Sequence, residues 1–402
     1  MRPTATVVAA TRPGPYNGCE LHEPKTIFFA GGGSGGHLYP GIAVAEALRE
    51  RLPAARPLFL CTQREIDSTI LTASGFEFIA QPIVPPRRSM GGLLRFWRAW
   101  RQTQDLTRQL IKDRRPAAVL GLGGYAAGVA VRAAAKRKIP TAIVNPDVIP
   151  GKANQFLFNH VERVFCQFAA TRDHVPATHH AKLVTTGCPI RSEITALPSR
   201  EAAMSRLGLN PMLQTLVVTG ASQGAVTVND AVLESWKQMK AHAGGAKLQG
   251  WQILHLSGKE NAERVRAEYR ELEVPAIVLD FTPAMGDVWA VADLAISRAG
   301  ASSCAELLAC AVPSILMPYP FHKDNHQLAN GRALEAQGAA IVVDDLKDRA
   351  KNAAMLRPAL ESLLYDATRR QAMRASARRA APQNAALAVA DALVDMIGRN
   401  AG

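Results

Sequence analysis

Short runs of apolar and β-branched residues alternate with longer amphipathic stretches along most of the chain. The short runs predict two series of β-strands, and the stretches between them predict helices. The first series covers 26–30, 57–60, 117–121, 141–144 and 163–166. The second covers 215–219, 252–256, 276–279, 294–297, 314–317 and 340–343. Near-continuous apolar strands separated by helices predict parallel sheets covered on both faces, which is the doubly wound α/β class.

The strand–turn–helix pattern begins twice, at residues 26 and 215, which predicts two similar domains in tandem. The chain has 402 residues, more than one ordinary core accommodates. We expect a disordered extension over 1–24, an N-terminal domain over 25–190, a C-terminal domain over 191–380, and a final helix over 381–402 that packs back toward the N-terminal domain. The first 24 residues lack the features of a secretion signal, and no apolar run reaches the ~18 residues of a membrane span.

Two glycine-rich turns occupy equivalent places in the two halves. Residues 31–37 read Gly-Gly-Gly-Ser-Gly-Gly-His and residues 220–225 read Gly-Ala-Ser-Gln-Gly-Ala, each between a strand and a helix. Glycines let backbone N–H groups approach a ligand closely, and a helix N-terminus favours negative charge. A third cluster, Gly-Leu-Gly-Gly-Tyr at 121–125, is expected on the same sheet edge as the first turn. Together these turns predict a cleft that grips phosphates from both sides.

Several other ligand classes fit the sequence poorly. A dinucleotide dehydrogenase needs an acidic residue at the end of the second strand, but the nearest one, Glu65, already lies in the next helix. The lysine-bearing phosphate loop of ATPases is absent from the sequence. None of the six cysteines forms a CxxC pair, so we expect reduced thiols and no zinc site. The net charge of +13 favours polyanionic partners, a class that includes nucleic acid, anionic lipid and phosphate-bearing substrates.

The order of the motifs resembles that of one family. Residues 30–41, which read Ala-Gly-Gly-Gly-Ser-Gly-Gly-His-Leu-Tyr-Pro-Gly, are similar to the opening signature of the MurG family of GlcNAc transferases. Similar family motifs occur at 121–125, at 187–191 (Gly-Cys-Pro-Ile-Arg), at 220–225, at 297–306 (Ser-Arg-Ala-Gly-Ala-Ser-Ser-Cys-Ala-Glu) and at 318–330. The resemblance spans roughly residues 25–398 in unbroken order. Each motif is shared with other nucleotide-sugar transferases, whereas their combination is specific.

This resemblance implies the GT-B fold, in which two Rossmann-like domains face a cleft. It implies inverting transfer of GlcNAc from UDP-GlcNAc to the C4 hydroxyl of a MurNAc-pentapeptide linked to undecaprenyl pyrophosphate, a step of peptidoglycan biosynthesis. The acceptor and the membrane face would belong to the N-terminal domain and the donor to the C-terminal domain. The expected location is peripheral, on the cytoplasmic face of the plasma membrane, against an anionic surface. No cofactor, no metal and no nucleic acid are expected.

The resemblance also suggests roles for single residues. His37 is a candidate general base, since an imidazole titrates near neutral pH, although contact with the acceptor diphosphate without proton transfer is an alternative. Glu306 would accept hydrogen bonds from the ribose hydroxyls. Arg191 would offset charge on the leaving UDP, Gln327 would bond the sugar hydroxyls, and Thr282 would contact the base through its backbone. His37, Ser34, Gly35 and Gly36 would face the cleft from the acceptor side. The residues expected to bind the donor UDP-GlcNAc are Ser34, Gly35, Gly36, Asp147, Arg191, Ser222, Thr282, Ala301, Ser302, Ser303, Cys304, Ala305, Glu306 and Gln327.

One run departs from the family pattern. Residues 144–147 read Val-Asn-Pro-Asp where the family usually has His-Glu-Gln-Asn, although the residues after them match. The usual acidic residue is lost, and an asparagine that contacts the donor sugar becomes Asp147. The change puts in doubt any base assigned to this loop and favours His37. It also leaves room for a divergent donor or acceptor.

Residues 85–101 predict an amphipathic helix that carries both indole rings and arginines. At ~100° per residue, Leu93, Phe96, Trp97 and Trp100 fall on one side, and most of the arginines fall on another. Indole rings beside arginines suit an anionic bilayer interface, so these four residues are predicted to contact the membrane. Packing of the aromatic rings on the domain core is the alternative.

Other functions remain as alternatives at this stage. A glycolipid-forming UDP-sugar transferase with another acceptor would share most of the motifs. A UDP-sugar epimerase shares the two-domain architecture but would convert free UDP-sugar. A nucleotide-regulated or RNA-binding protein without turnover would use the same basic surface, yet it would not explain Ser222, Glu306 and Gln327 in their family order.

Overall fold

The computed structural model describes residues 24–86, 89–220, 224–243, 248–321 and 324–400. Apart from Pro24, the extension predicted over 1–24 lies outside the described residues. The chain forms two compact units. The first unit runs to Pro146, continues over Pro150–Arg191 and includes the chain from Gln383 onward, and the second contains Asp147–Ile149 and Ser192–Pro382. The helix at the end of the chain is therefore part of the first unit.

The described part of the first unit holds a seven-stranded sheet in which every pair of neighbours is parallel. Its strands are β1 (Lys25–Gly31), β2 (Ala55–Cys61), β3 (Glu77–Ala80), β4 (Ala118–Gly123), β5 (Thr141–Asn145), β6 (Arg163–Cys166) and β7 (Leu183–Thr185). The spatial order is β3-β2-β1-β4-β5-β6-β7. The main helices are α1 (Gly35–Arg51), α2 (Glu65–Ala73), α3 (Met90–Arg114), α4 (Gly124–Ala135), α5 (Lys152–Leu157) and the last helix, α15 (Ala385–Arg399).

Alternate side chains of β1 pack into two different hydrophobic cores, one on each face of the sheet. Ile27 and Phe29 pack with α1 and α15, whereas Phe28 pairs with the core that α3 and α4 cover. Successive side chains of a strand point to opposite faces, so a strand buried on both sides must be apolar throughout. Phe29 lies opposite Phe59 of β2 and stacks on it with ring centroids 5.0 Å apart.

The described part of the second unit holds a six-stranded parallel sheet of order β10-β9-β8-β11-β12-β13. Its strands are β8 (Gln214–Thr219), β9 (Trp251–Leu256), β10 (Ala276–Leu279), β11 (Leu294–Ser297), β12 (Ser314–Leu316) and β13 (Ala340–Val342). Its helices are α6 (Ser192–Thr195), α7 (Arg200–Leu207), α8 (Val226–Ala243), α9 (Ala262–Glu271), α10 (Met285–Val291), α11 (Ala301–Ala309), α12 (His326–Ala336), α13 (Arg349–Leu364) and α14 (Ala367–Ala380).

The predicted doubly wound α/β class is confirmed, and all eleven predicted strands are present. The prediction missed β3 and β7, which have four and three residues. Both strands lie at the edges of the first sheet, where they are only partly buried. In the described residues, no helix combines the length and the apolar character that crossing a bilayer requires.

The last helix packs on the first unit through an apolar stripe. Val389, Leu393 and Met396 join the core that α1 covers, and all three are nearly or fully buried. Asn384 caps the helix by accepting a hydrogen bond from the Leu387 N–H at 3.1 Å. Asp391 of this helix also forms an ion pair with Arg51 of α1 at 2.8 Å. The C-terminal segment therefore completes the fold of the first unit.

Candidate functional site

Each sheet has one point where the winding direction reverses. In the first unit this point lies between β1 and β4, and in the second it lies between β8 and β11. Ligands of open α/β sheets bind outside the carboxyl ends of the strands at such points. The turn at 31–37 follows β1 and the turn at 121–125 follows β4, with Gly31 paired to Gly123. The turn at 220–225 follows β8, and the segment before α11 follows β11.

His37 lies in the first unit against the turn that follows β4. A Cβ atom added to Gly123 or Gly124 would lie 3.2 or 3.3 Å from the His37 ring, and both glycines have positive φ angles of 97° and 72°. The imidazole therefore packs on bare backbone, which only glycine provides here. This packing fixes the plane of the ring.

The hydrogen bonds of His37 indicate which ring nitrogen carries the proton. Nδ1 lies 3.2 Å from the carbonyl oxygen of Gly32 and 3.2 Å from Oγ of Ser34. A carbonyl oxygen only accepts, so Nδ1 must donate to Gly32, and the lone pair of the neutral ring falls on Nε2. Nε2 is therefore the atom that has the chemistry of a base.

Asp67 is a further residue of this turn that the sequence reasoning missed. Its side chain is fully buried, and its two carboxylate oxygens both lie 2.8 Å from the N–H of Gly33. The same carboxylate accepts from the N–H of Thr62 at 2.9 Å and from its hydroxyl at 2.6 Å. Asp67 thus ties the turn after β1 to the turn after β2. The Gly33 N–H is therefore satisfied within the protein and is not available to a ligand.

The run that departs from the family pattern is divided between the two units. Asn145 ends β5 and is buried, and its Oδ1 accepts from the Nδ2 of Asn154, 3.0 Å away. Asp147 belongs to the second unit, where its Oδ1 accepts from Nδ2 of Asn330 at 2.8 Å. The fully buried Asn330 also accepts from the N–H of Val148 at 2.9 Å. Asn330 therefore fixes the segment 147–149.

The turn after β8 is built around a glycine that no other residue could replace. Gly224 has a φ of 73°, and a Cβ there would lie 2.2 Å from the carbonyl oxygen of Ser257. Ser222, which the sequence assigns to the donor, lies outside the described residues. The described residues of this turn are Gly220, Gly224 and Ala225.

The predicted segment 301–305 forms the first turns of α11, directly after β11. Ala301, Ser302 and Ser303 are half-buried, whereas the Cys304 and Ala305 side chains point into the unit. The first N–H groups of a helix have no partner within the helix. Gln327 lies beside them: its Oε1 accepts from the N–H of Tyr319 at 2.9 Å, and a Cβ on Gly300 would lie 4.0 Å from its Nε2.

Glu306 follows on the same helix and is half-buried. Its Oε2 accepts a hydrogen bond of 2.8 Å from Nε1 of Trp289. Burial, and then the negative charge of Glu306, raise the pKa of the Cys310 thiol to about 12, so this neighbour stays neutral. Thr282, whose Oγ1 accepts from the Ala284 N–H at 3.1 Å, precedes α10, the helix that carries Trp289.

Arg191 is the last residue of the first unit before the chain enters the second unit at α6. Its guanidinium lies over the ring of Tyr39, 4.4 Å from the centroid, so the arginine is held by a residue of the same opening motif that carries His37. This contact places Arg191 with the helix that follows the first glycine-rich turn.

The aromatic face predicted on α3 divides into two sets. Leu93 and Trp97 are exposed by 45% and 58%, and with Met90 and Leu94 they form an exposed apolar stripe at helical spacing. The other two predicted residues, Phe96 and Trp100, are half-buried against the core residues Ile83, Ala126 and Val129. These two side chains anchor the helix to its own unit, and their contact with the membrane stays a prediction.

A buried polar network holds the Ser257 carbonyl, on which the turn after β8 packs. His255 of β9 is fully buried, with Nδ1 2.9 Å from the Tyr269 hydroxyl and Nε2 3.0 Å from Oδ1 of Asn229. Asn229 in turn donates to the carbonyl oxygen of Ser257 at 3.0 Å, the group on which Gly224 packs. Burial, and to a lesser extent the charge of Arg264, lower the pKa of His255 to about 3.

We expect His255 to make the free energy of unfolding fall in acid. The unfolded histidine titrates near 6.5 and the folded one near 3, so between these values the unfolded state binds one more proton. Its contribution is present above pH 6.5 and is lost, at about 1.4 kcal/mol per pH unit, as the pH falls toward 3. Urea unfolding of the wild type and of His255→Gln from pH 7 to pH 4 measures this. Below pH 6.5 the free energy of unfolding should fall less steeply with decreasing pH in the variant, by the amount that one proton contributes. Equal slopes in the two proteins would contradict the assignment.

Comparisons with known proteins agree on one family. Residues 27–166 match the glycosyltransferase family 28 N-terminal domain, and residues 215–389 match the glycosyltransferase family 28 C-terminal domain. A UDP-N-acetylglucosamine--N-acetylmuramyl-(pentapeptide) pyrophosphoryl-undecaprenol N-acetylglucosamine transferase from Halothermothrix orenii is 34% identical over 88% of this chain and 94% of its own length. The transferase of the same description from Desulforudis audaxviator is 33% identical over 94% of this chain and 98% of its own length.

A solved structure supports the fold. The crystal structure of Acinetobacter baumannii MurG superposes with a TM-score of 0.70 and covers 92% of this chain and all of its own length. At a sequence identity of 23%, this similarity shows the fold and not the family. The family is shown by the two matched domains and by the relatives that match over nearly their whole length.

Proposed function

The chain belongs to glycosyltransferase family 28, and from this membership we infer that it transfers GlcNAc from UDP-GlcNAc to a MurNAc-pentapeptide linked to undecaprenyl pyrophosphate. The acceptor is the C4 hydroxyl of the MurNAc sugar. In the reaction, a bond forms between this oxygen and C1 of GlcNAc while the bond from C1 to the diphosphate breaks. UDP leaves, and the hydroxyl proton passes to a base of the enzyme.

The observation that carries the proposal is that donor-type groups follow the carboxyl ends of three strands of the second sheet, β10, β11 and β12. Thr282, the first turn of α11, Glu306 and Gln327 come from three segments of the chain, and all belong to one unit. A nucleotide sugar needs a base contact, acceptors for the ribose hydroxyls, N–H donors for the diphosphate and a polar group for the sugar. These four parts of the second unit have each of these chemical groups.

We assign the diphosphate to the N-terminus of α11 and to the turn after β8, and the ribose to Glu306. The partial positive charge of a helix N-terminus stabilises the charge that develops on the leaving diphosphate. Gln327 has an amide to bond the hydroxyls of the sugar, and Asp147, fixed by Asn330, belongs to the same unit. Arg191 supplies a further cation for the leaving UDP.

We assign the base to Nε2 of His37. The Gly32 carbonyl holds the ring in the tautomer whose lone pair is on this atom, and packing on Gly123 and Gly124 holds its plane. In the run at 144–147, which departs from the family pattern, Asn145 takes the place of the usual acidic residue. Its buried amide does not act as a base. His37 is therefore the residue in the opening motif that suits deprotonation of the C4 hydroxyl.

We further propose that α3 holds the protein on an anionic membrane surface, on the cytoplasmic face of the plasma membrane. The exposed stripe is apolar, and Arg95, Arg98 and Arg101 of the same helix are also exposed. Side chains of these two kinds insert into the boundary between head groups and acyl chains. A lipid-linked acceptor is confined to such a surface, so the enzyme must approach it.

Leu94→Ser combined with Trp97→Ser should weaken binding to vesicles that contain phosphatidylglycerol by about tenfold or more, because two exposed apolar side chains no longer enter the bilayer. Vesicle sedimentation measures this. Met212→Ser changes a side chain that is 86% exposed in the second unit and serves as the matched control. A folded double variant that binds vesicles as tightly as the control would rule out this surface.

The transfer assay tests the proposal as a whole. The enzyme is incubated with labelled UDP-GlcNAc and either the lipid-linked MurNAc-pentapeptide, a different membrane glycolipid acceptor, or no acceptor. Label should enter the lipid fraction only with the first acceptor, with one UDP released for each transfer. Transfer to the second acceptor alone would favour a glycolipid-forming transferase, and conversion of free UDP-GlcNAc without any acceptor would favour an epimerase.

A further inference from the structure

The indole of Trp289 lies behind the residue that the proposed function assigns to the ribose. Trp289 is 3% exposed and lies on α10, while Glu306 is half-buried on α11. The indole Nε1–H donates to Oε2 of Glu306 at 2.8 Å, a distance typical of a charge-assisted hydrogen bond. An indole has one polar group and can only donate. The bond to Glu306 uses this one donor, and it gives the carboxylate a fixed neighbour.

The helix that carries Trp289 is itself held on both sides. Asp287 forms two hydrogen bonds with the guanidinium of Arg206 on α7, at 2.5 and 2.9 Å. Gly286 packs so closely on α6 that a Cβ there would lie 2.7 Å from the carbonyl oxygen of Glu193. The indole is therefore a rigid donor, and it restricts the rotamers that Glu306 can adopt.

A fixed carboxylate matters for a ribose because two neighbouring hydroxyls must be met at once. A carboxylate offers about four lone-pair sites, so one bond from an indole is compatible with two more from hydroxyl groups. Without the indole, Glu306 would have more rotamer freedom to lose at the moment of binding, which lowers affinity. Pre-ordering the acceptor removes part of this cost.

We propose that Trp289 is a positioning residue for the donor ribose, which acts by orienting the Glu306 carboxylate toward the 2′- and 3′-hydroxyls. The inference rests on the proposed function, since it takes Glu306 as the ribose acceptor. It adds a residue that does not touch the substrate and a reason for an indole at this place in α10. The effect belongs to donor affinity and not to the chemical step.

Trp289→Phe tests the proposal because it keeps an aromatic ring and removes the N–H. We expect the Kd for UDP to rise about tenfold, as for the loss of one hydrogen bond to a charged group. The Kd for 2′,3′-dideoxy-UDP should not change, since that ligand has no ribose hydroxyls. The kcat at saturating UDP-GlcNAc should also stay the same. Trp236→Phe truncates another buried tryptophan of the same unit and should leave both Kd values unchanged.

A double-mutant cycle with Glu306→Ala separates this inference from the proposed function. Glu306→Ala alone should weaken UDP binding, and Trp289→Phe should then add nothing to the loss. If Glu306→Ala leaves UDP binding unchanged, the ribose assignment falls and the inference falls with it. If Glu306→Ala weakens binding but Trp289→Phe does not, only the positioning role is wrong. An equal loss for UDP and dideoxy-UDP, or an additive loss in the double variant, would also overturn it.

Discussion

His37→Ala should lower kcat for GlcNAc transfer by about 10²–10⁴-fold, the usual contribution of a positioned general base. The acceptor hydroxyl would then have to lose its proton without help from Nε2. The Kd for UDP should change little, since Glu306, Gln327 and the first turn of α11, to which most of the donor contacts are assigned, belong to the other unit. Steady-state kinetics with a titration of UDP separate the two effects.

The matched control for this variant is Ser34→Ala. It removes the hydroxyl 3.2 Å from Nδ1 but keeps the Gly32 carbonyl that sets the tautomer, so kcat should fall by less than about tenfold. A His37→Ala enzyme with wild-type kcat would show that the base is elsewhere. Equal losses in kcat and in UDP affinity would instead indicate that the imidazole supports the donor.

Asp345→Ala should lower the free energy of unfolding by about 3–5 kcal/mol, the usual cost of leaving one partner of a buried ion pair alone. Asp345 and Arg298 have side chains that are 0% and 5% exposed, and they pair at 2.8 Å. Burial opposes ionisation of Asp345, but hydrogen bonds from Thr227, Asn352, the Lys347 N–H and Arg298 hold its pKa below its usual range. The variant therefore leaves a buried guanidinium without its carboxylate.

Chemical denaturation measures this loss, with Asp344→Ala as the control at the exposed neighbouring position. The control should change the free energy of unfolding by less than about 0.5 kcal/mol. Combining Asp345→Ala with Arg298→Met should recover part of the stability, because no charge is then left buried. A single variant as stable as the control would mean that the pair does not contribute to the fold.

Patterns that repeat along the chain were sufficient to predict the fold. Strands such as β6 and β11, in which three of the four residues are apolar, were predicted at their observed bounds, because burial on both faces leaves a strong signal. The missed strands β3 and β7 lie at the two edges of the first sheet, where only two residues of β3 and none of β7 are buried. Their partial burial leaves a weaker apolar pattern than that of the strands between them.

The site was predictable where a motif carries it and not where packing does. His37 and Glu306 belong to motifs with a fixed spacing, so a sequence comparison locates them. Asp67 and Trp289 contact these motifs from distant segments, and nothing in their local sequence points to that contact. The signal that could have identified Asp67 is weak: an acidic residue early in a helix whose side chain turns back to the preceding strand.

The two faces of α3 illustrate a further limit. A helical wheel places Phe96 and Trp97 on the same broad side, about 100° apart, and does not say which of them meets the core. The choice depends on the position of α4, which brings Ala126 and Val129 under Phe96. Tertiary packing therefore decides, residue by residue, which side chains of α3 meet the core and which stay exposed.

Determining the bond that the enzyme makes tests the central claim most directly. The disaccharide released from the lipid product of UDP-GlcNAc and the MurNAc-pentapeptide acceptor is analysed by NMR. In-line attack by the deprotonated C4 hydroxyl on the α-linked donor predicts one GlcNAc joined through a β bond to O4 of MurNAc. An α bond, or attachment at any other oxygen, would contradict the account.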